Sequence, residues 1–298
     1  TQQMTGTGKS PASPRRTPCG SPIAFLYFII AQAQGKRKGE PQKCCRAAAI
    51  LTPAPSYFTM NTKGVITMSR DSIKMVAMLT MLINHIANVF LPAGQPLTNL
   101  CLCIGYFTAV TMCFFLVEGY GCTRSKRRYA GRLLGFAVLA QLPYQLAFPA
   151  NGIAGFVQFN MLFTLLLCFL VLLVQEKIQD RVLRGVCIVL LICASLFCDW
   201  ALLAPVFTLL FAWAGGNQTR QKAAFGAAAL LYGGMAGLGS GQVWEAVGCA
   251  VPILVSAFVI LYLYNGRRAA RGRTFYKWFF YAFYPAHLLV LGLLRLAV

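Results

Sequence analysis

The chain has 298 residues, of which 58% are hydrophobic and only 11% carry a charged side chain. Soluble domains carry about 25% charged residues, so the composition argues against a soluble globular protein. The formal net charge is +20, from 27 Lys and Arg against 7 Asp and Glu. Such an excess could indicate nucleic-acid binding, but the basic residues lie between long apolar runs, which favours a membrane protein instead.

The first 67 residues differ in composition from the rest. They are rich in Pro, Gly, Ser and basic residues, as in TGTGKSPASPRRTPCGSP, and such a segment cannot bury a core. Their apolar patch, PIAFLYFIIAQA, is too short to cross about 30 Å of hydrocarbon. We therefore predict two parts. Residues 1–67 are expected to be a disordered or non-native extension, and residues 68–298 a membrane domain whose natural start is Met68.

Long apolar runs follow one another from residue 71 onward and predict nine helical spans. These spans are residues 72–92, 97–119, 130–148, 156–175, 182–198, 200–214, 222–238, 244–264 and 275–297. The expected fold is an all-α, polytopic bundle of about nine transmembrane helices, with the lipid bilayer as its surroundings.

Basic residues occupy every second connection between the predicted spans. CTRSKRRYAGR, EKIQDRVLR, NQTRQK and NGRRAARGRTFYK contain them, whereas PAGQP, PANGIAG, the Cys198–Trp200 corner and LGSGQ contain none. Lys and Arg mark the cytoplasmic side of a membrane protein. We therefore expect a cytoplasmic N-terminus and an outer C-terminus, and we expect no nucleic acid as a partner.

The cysteines and glycines do not indicate a metal or phosphate site. The chain has 12 Cys, most of them scattered through or beside apolar spans, where Cys behaves as a small hydrophobe. A zinc site would need paired ligands at regular spacing, so no metal is expected. The Gly-rich residues 233–241 close a predicted span, and they favour tight helix packing and a turn over phosphate binding.

Polar side chains inside a span are costly unless paired, and they often mark function. At about 1.5 Å per residue, His85 lies roughly 20 Å, and His287 roughly 18 Å, from the start of two spans that run the same way. The two imidazoles are thus expected at one level in the outer half of the bundle. Asn160 and Asp199 fall in the same half. The alternative is that each histidine makes one interhelical hydrogen bond for packing.

Several segments in order resemble the TraX family, which includes the F-pilin acetylase of conjugative plasmids. They are SIKMVAMLTMLINHIANVF, FFLVEGYGCTRSKRRYAGRLLGFAVLAQLPYQLAF, FNMLFTLLL, CDWALLAPVFTLLFAW, LYNGRR and FYAFYPAHLLVL. The resemblance covers about residues 72–298. It implies a multi-pass protein of the bacterial inner membrane and an acyltransferase. The expected donor is an acyl-CoA, and acetyl-CoA is the preferred candidate. The acceptor stays open among a protein N-terminus, a glycan and a small molecule.

The chain departs from the family pattern at two places. Asn84 stands where the family has Asp before the histidine, and Gly105–Val110 lacks the family's Arg and Pro. Without an acidic neighbour, His85 loses one means of raising its basicity. The resemblance therefore leaves open an altered specificity or a lost activity.

The expected chemistry is acyl transfer from a thioester. His85 is the candidate general base, because histidine titrates in the right range to take a proton from an amine or hydroxyl. Asp199 or Asn84 would orient it, and His287 or Asn160 would donate to the developing oxyanion. Basic loop residues would bind the donor's phosphates, although the positive-inside rule alone also accounts for them. The candidates are Arg124, Arg127, Arg128, Arg132, Arg267 and Arg268.

Two other function classes remain open at this point. Membrane histidines and carboxylates also relay protons, so the chain could be a transporter or channel, although no inverted repeat is evident. It could also be a non-catalytic scaffold protein if the missing acidic neighbour has disabled the site.

Overall fold

The computed structural model describes residues 58–60, 66–149, 158–269 and 272–297. The predictions for residues 1–57 lie outside these ranges. Two short antiparallel strands come first, β1 at Phe58–Met60 and β2 at Ile66–Met68. Among the residues described after these strands, all regular structure is helical apart from single bridges between extended segments.

Nine α-helices follow within the described residues. They are α1 (Arg70–Phe90), α2 (Pro96–Cys122), α3 (Lys126–Ala147), α4 (Met161–Lys177), α5 (Arg181–Ala194), α6 (Leu203–Ala214), α7 (Gln218–Ser240), α8 (Val243–Phe258) and α9 (Arg273–Ala297). A 3-10 turn, Ser195–Phe197, follows α5, and a π-helical turn, Val259–Leu263, extends α8. Each predicted span coincides with one helix to within a few residues.

Five of these helices are long and apolar enough to cross a membrane: α1, α2, α7, α8 with its π-helical turn, and α9. The all-α membrane class is therefore confirmed. α4, α5 and α6 have 17, 14 and 12 residues, below the roughly 20 residues that span a bilayer without tilt or thinning. A count of nine spans and the orientation of the N-terminus stay predictions.

Side-chain caps explain where several helices begin. At five helix starts a side-chain oxygen accepts a hydrogen bond from a backbone N–H of the first turn, which satisfies a donor that has no partner inside the helix. The capping residues are Ser69, Ser125, Asn160, Asp180 and Asn217. α2 instead begins with Pro96, whose fixed φ suits the first helical position.

α4 lies at the centre of the bundle and is apolar on all sides. Cys168, Phe169 and Val171 are completely buried, as expected for a helix surrounded by other helices. Glycines allow close approach at two other helix contacts. A Cβ on Gly233 of α7 would lie 2.7 Å from the Ala246 carbonyl oxygen of α8. A Cβ on Gly292 of α9 would lie 2.8 Å from Leu146 Cβ of α3.

Candidate functional site

The two histidines of the chain meet inside the bundle. His85 Nδ1 on α1 lies 2.9 Å from His287 Nε2 on α9. The ring planes are 10° from parallel and the ring centroids are 5.1 Å apart, so the two rings meet edge to edge through these nitrogens. Both side chains are buried. The sequence placed the two imidazoles at one level, and the structure brings them into direct hydrogen-bond contact.

Aromatic rings enclose the histidine pair. Phe148 packs edge-on against His85 with the centroids 5.3 Å apart. Phe283 stacks on His287 at 4.9 Å, and Tyr284 meets the same ring in a T-shaped contact at 5.6 Å. The Nδ1 atom of His287 lies 2.7 Å from the carbonyl oxygen of Phe283. The pair is thus held by packing on its sides and by a backbone carbonyl at one end.

A cavity of about 310 Å³, here called the histidine cavity, adjoins the pair. His85, Asn84 and Asp199 line it together with the aromatic residues Tyr106 and Trp200. Asp199 lies at the corner between α5 and α6, outside the helices. Burial raises the pKa of its carboxyl group to about 6, and a hydrogen bond from the Trp200 backbone N–H acts in the opposite direction.

The corner that carries Asp199 has unusual backbone geometry. Trp200 has φ of 56° and Leu202 has φ of 62°, a region that costs a non-glycine residue on the order of 1 kcal/mol or more. Hydrogen bonds hold the corner in place: Asp199 N donates to Phe159 O at 2.8 Å, and Leu202 N donates to Ser195 Oγ at 3.0 Å. The strained corner fixes Asp199 and Trp200 at the edge of the histidine cavity.

The structure does not place Asn84 or Asn160 in contact with the histidine pair. Asn84 Nδ2 donates to Leu102 O at 3.0 Å, and its Oδ1 accepts from Asn88. Asn160 caps α4, and its Nδ2 donates to the Ala137 carbonyl and to Gln141 Oε1. Both N–H groups of that amide are therefore already used. Asp199 lines the same cavity as His85, but the described contacts include no hydrogen bond between them.

A second cavity of about 450 Å³, here called the basic cavity, lies toward the N-terminal end of α1. Of the described residues that line it, eight are Lys or Arg and one, Asp71, is acidic. Four of the six arginines predicted from sequence are among them. The eight cations are Arg70, Lys74, Arg124, Arg128, Arg132, Arg268, Arg273 and Lys277. Arg127 and Arg267 do not line this cavity.

Two of these cations sit among aromatic rings. Lys74 Nζ lies 5.7 Å from the centroid of Phe115 and 5.4 Å from that of Phe280. The Arg132 guanidinium lies 5.5 Å from the ring of Tyr129. Its Nε is buried, and no described residue accepts a hydrogen bond from it. An arginine nitrogen without an acceptor in a basic cavity fits an anionic ligand.

The loop after α8 is fastened to the start of α1. Arg70 N donates to Arg267 O at 2.8 Å, and Ala269 N donates to the Asp71 carboxylate at 2.8 Å. These bonds hold Arg268, which lies between them, at the basic cavity. Arg70 also pairs with Glu118, with Nε and Oε2 3.7 Å apart. Tyr264 donates to the other Glu118 oxygen at 2.6 Å, so this carboxylate has a structural, ion-paired role.

Sequence reasoning missed Arg70, Lys74, Arg273 and Lys277 as members of this cavity. The sequence signal that could have revealed them is their helical spacing. Arg70 and Lys74 stand four residues apart, as do Arg273 and Lys277, and side chains at that spacing share one helix face.

The two cavities adjoin. Four residues line both: Met81, Thr108, Met161 and Tyr284, here called the junction. α1 lines both cavities with a single stripe, from Lys74 at the basic cavity through Met81 to His85 at the histidine cavity. Arg70 and His85 are 15 positions apart, about 22 Å along the helix axis. The two cavities together therefore extend along much of α1.

These features define an integral membrane protein with a buried histidine pair and two adjoining cavities in a helical bundle. The chain belongs to the TraX family, since the family model described as TraX protein matches residues 69–295. The resemblance inferred from sequence is thereby confirmed. A similar protein is the "Probable fimbrial assembly protein FimC, serogroup H1" of Dichelobacter nodosus. It is 32% identical over 237 residues, which cover 76% of this chain and 95% of that relative. No solved structure matches the chain.

Proposed function

We propose that this protein is a membrane acyltransferase that moves an acyl group from an acyl-CoA to an amine or hydroxyl acceptor. Acetyl is the preferred candidate for that group. His85 is the general base of this enzyme. The observation that carries the proposal is the adjacency of the two cavities. One offers cations suited to a phosphate-bearing donor, the other offers an imidazole suited to proton transfer, and Met81, Thr108, Met161 and Tyr284 belong to both.

The basic cavity supports acyl-CoA as the donor. CoA carries several phosphate groups, and Arg and Lys are the side chains that bind phosphate best. Eight cations against one carboxylate leave a strong positive excess there. The unpaired Nε of Arg132 is a donor that such a ligand would satisfy. The thioester at the far end of the donor would then approach the junction.

The orientation follows from charge. The basic cavity draws its cations from two of the basic connections, CTRSKRRYAGR and NGRRAARGRTFYK, and from the start of α1, and basic connections belong on the cytoplasmic side. With nine spans the N-terminus is cytoplasmic and the C-terminus outside. Acyl-CoA would enter from the cytoplasm, and the acceptor would reach the histidine cavity from the other face of the bacterial inner membrane.

The proposed step conserves atoms and charge. The acceptor heteroatom bonds to the thioester carbonyl carbon while its proton moves to Nε2 of His85. The tetrahedral intermediate then breaks its C–S bond, and the departing thiolate takes the same proton back from His85. The products are the acylated acceptor and free CoA thiol, and His85 returns to its starting state.

The name of the similar Dichelobacter nodosus protein narrows the class of acceptor. That protein is named as a probable fimbrial assembly protein. A fimbrial or pilus subunit with a free N-terminal amine is therefore the first acceptor to test, ahead of a glycan or a small molecule.

The experiment uses the full chain purified into nanodiscs, with acetyl-CoA as donor and a peptide with a free N-terminus as acceptor. Thiol release and the mass of the peptide are measured together. We expect His85→Ala to abolish both. Ile86→Ala, which changes the exposed neighbour on the same helix, should keep both. Acetylation that continues in His85→Ala would remove this residue from the mechanism.

Two cavities that meet inside a bundle would also suit a transporter, which is the second candidate. Liposomes that contain the protein separate the two proposals. Movement of a solute across the membrane without any thioester consumption would favour transport, and thiol release that depends on an acceptor would favour acyl transfer.

A further inference from the structure

The direction of one hydrogen bond fixes the protonation of His287. Its Nδ1 lies 2.7 Å from the carbonyl oxygen of Phe283. A carbonyl oxygen only accepts hydrogen bonds, so Nδ1 of His287 must carry the hydrogen and donate it. In a neutral imidazole one nitrogen is a donor and the other an acceptor. Nε2 of His287 is therefore the acceptor.

The same reasoning extends to His85. Its Nδ1 lies 2.9 Å from Nε2 of His287, and that contact needs one donor. Because Nε2 of His287 is bare, that is, without a hydrogen, Nδ1 of His85 carries the hydrogen of this contact. Nε2 of His85 is then the bare nitrogen, and no described residue hydrogen-bonds to it. This nitrogen is the one that a base needs, since it holds the free lone pair.

The surroundings favour this neutral arrangement over a charged pair. Both rings are buried, and Phe148, Phe283 and Tyr284 pack against them. Among the described contacts, no carboxylate hydrogen-bonds to either imidazole. A charge placed there would lose its hydration without gaining a partner.

We propose that His287, anchored to the Phe283 carbonyl, is a positioning residue that holds His85 in the tautomer with a bare Nε2. The inference rests on the proposed function for its catalytic consequence, but the tautomer itself does not. It also replaces the role expected from sequence. His287 cannot donate to an oxyanion, because its only N–H is used by Phe283 and its other nitrogen by His85.

Nitrogen NMR tests the tautomer directly. The chain has two histidines, so ¹⁵N-histidine labelling in nanodiscs gives two rings to assign, and the His287→Gln variant identifies His85. We expect both rings to carry hydrogen on Nδ1 and none on Nε2. Neutral histidine in water favours the opposite tautomer, so the result is not the default. A hydrogen on Nε2 of His85 would overturn the proposal.

Matched variants test the consequence for turnover. Gln at position 287 places its amide near the position of Nε2 and can still accept from His85, whereas Asn reaches only the position of Nδ1. We expect His287→Asn to lower kcat by about 100-fold with the KM for acetyl-CoA unchanged. His287→Gln should restore most of that loss. Equal losses in the two variants would mean that His287 only fills space.

The two tests separate this inference from the proposed function. If no acetyl transfer is found at all but the NMR shows bare Nε2 atoms, the tautomer assignment holds and the reaction class is wrong. If transfer is found and His287→Asn leaves kcat unchanged, the reaction class holds and the positioning role is wrong.

Discussion

The histidine cavity and the basic cavity are organised in opposite ways. At the histidine cavity internal hydrogen bonds hold the polar groups: His85 bonds to His287, which bonds to Phe283, and Asn84 bonds to Leu102, so that only Nε2 of His85 is left without a partner in the pair. In the basic cavity cations outnumber carboxylates eight to one, and one buried guanidinium nitrogen has no acceptor among the described residues. Internal hydrogen bonds therefore fix the first set of groups except at Nε2 of His85, whereas the second set carries an excess of positive charge.

This contrast indicates a division of labour. A pre-organised hydrogen-bonded pair suits proton transfer, since its geometry is fixed before a substrate arrives. An excess of like charge costs stability until a ligand neutralises it, which suits reversible binding. Substitutions in the histidine cavity should therefore act on kcat, and substitutions in the basic cavity on the affinity for the donor.

Blocking the junction should have the largest effect, because it separates the two regions. Met81 is half-buried and lines both cavities. We expect Met81→Trp to lower acetyl transfer by about 100-fold or more, since a misplacement of about 1 Å costs about that much, while acetyl-CoA binding by calorimetry stays unchanged. Met81→Leu conserves the volume and is the control. Full activity in the Trp variant would mean that the acyl group does not pass Met81.

Removing the guanidinium whose Nε has no acceptor among the described residues should have the next largest effect. Arg132→Gln should raise the KM for acetyl-CoA by about tenfold or more, because a charge-assisted hydrogen bond contributes about 1.5–3 kcal/mol, and kcat should change little. Arg127→Gln is the matched control, since this arginine is exposed and does not line the cavity. If both variants bind the donor equally, the cavity is not its site.

The same arginines show how far the sequence could predict the site. The third span was expected to begin at residue 130, but α3 begins at Lys126. Residues 126–129 lie outside the predicted span, so no helix face can be assigned to them from the sequence. In the helix, Arg128 and Arg132 share a face, and Arg127 points elsewhere. The apolar runs predicted the helices well, because burial in lipid demands such runs.

The histidine contact could be predicted only in part. Helical rise gave the level of His85 and His287, but the direct contact depends on how α1 and α9 approach each other, and no local pattern encodes that. Lys74 was missed because a single cation in an apolar run looks like part of a span. Its place beside Phe115 and Phe280 is a tertiary property.

Asp199 provides a test of how much folding stability is lost at the histidine cavity. Its pKa is raised to about 6 by burial, so the neutral acid is the form that folding favours. Stability should be full below about pH 4 and should fall as the pH rises through 6, by about 3 kcal/mol. Asp199→Asn mimics the neutral acid. We expect its Tm to match the native protein near pH 4 and to exceed it at pH 7.5.

Equal Tm differences at both pH values would contradict this account, because they would show that the charge on Asp199 does not destabilise the folded protein. If the stabilised Asp199→Asn variant also loses activity, the carboxylate is kept for function at the expense of stability. Proteins commonly accept such a trade-off at functional sites.

The smallest expected effect tests how α9 is held. Gly292 lies where α9 meets α3, and a Cβ there would come within 2.8 Å of Leu146 Cβ and 3.1 Å of the Ala147 backbone nitrogen. Gly292→Ala should lower the free energy of unfolding by about 1 kcal/mol through overpacking. Gly226→Ala on α7 meets open space and should be neutral or slightly stabilising, because Ala favours helix over Gly. Since His287 lies on the same helix, the Gly292 variant should also shift the ¹⁵N signals of His287. An unshifted spectrum would mean that the histidine pair is held by its own contacts and not by the α3–α9 interface.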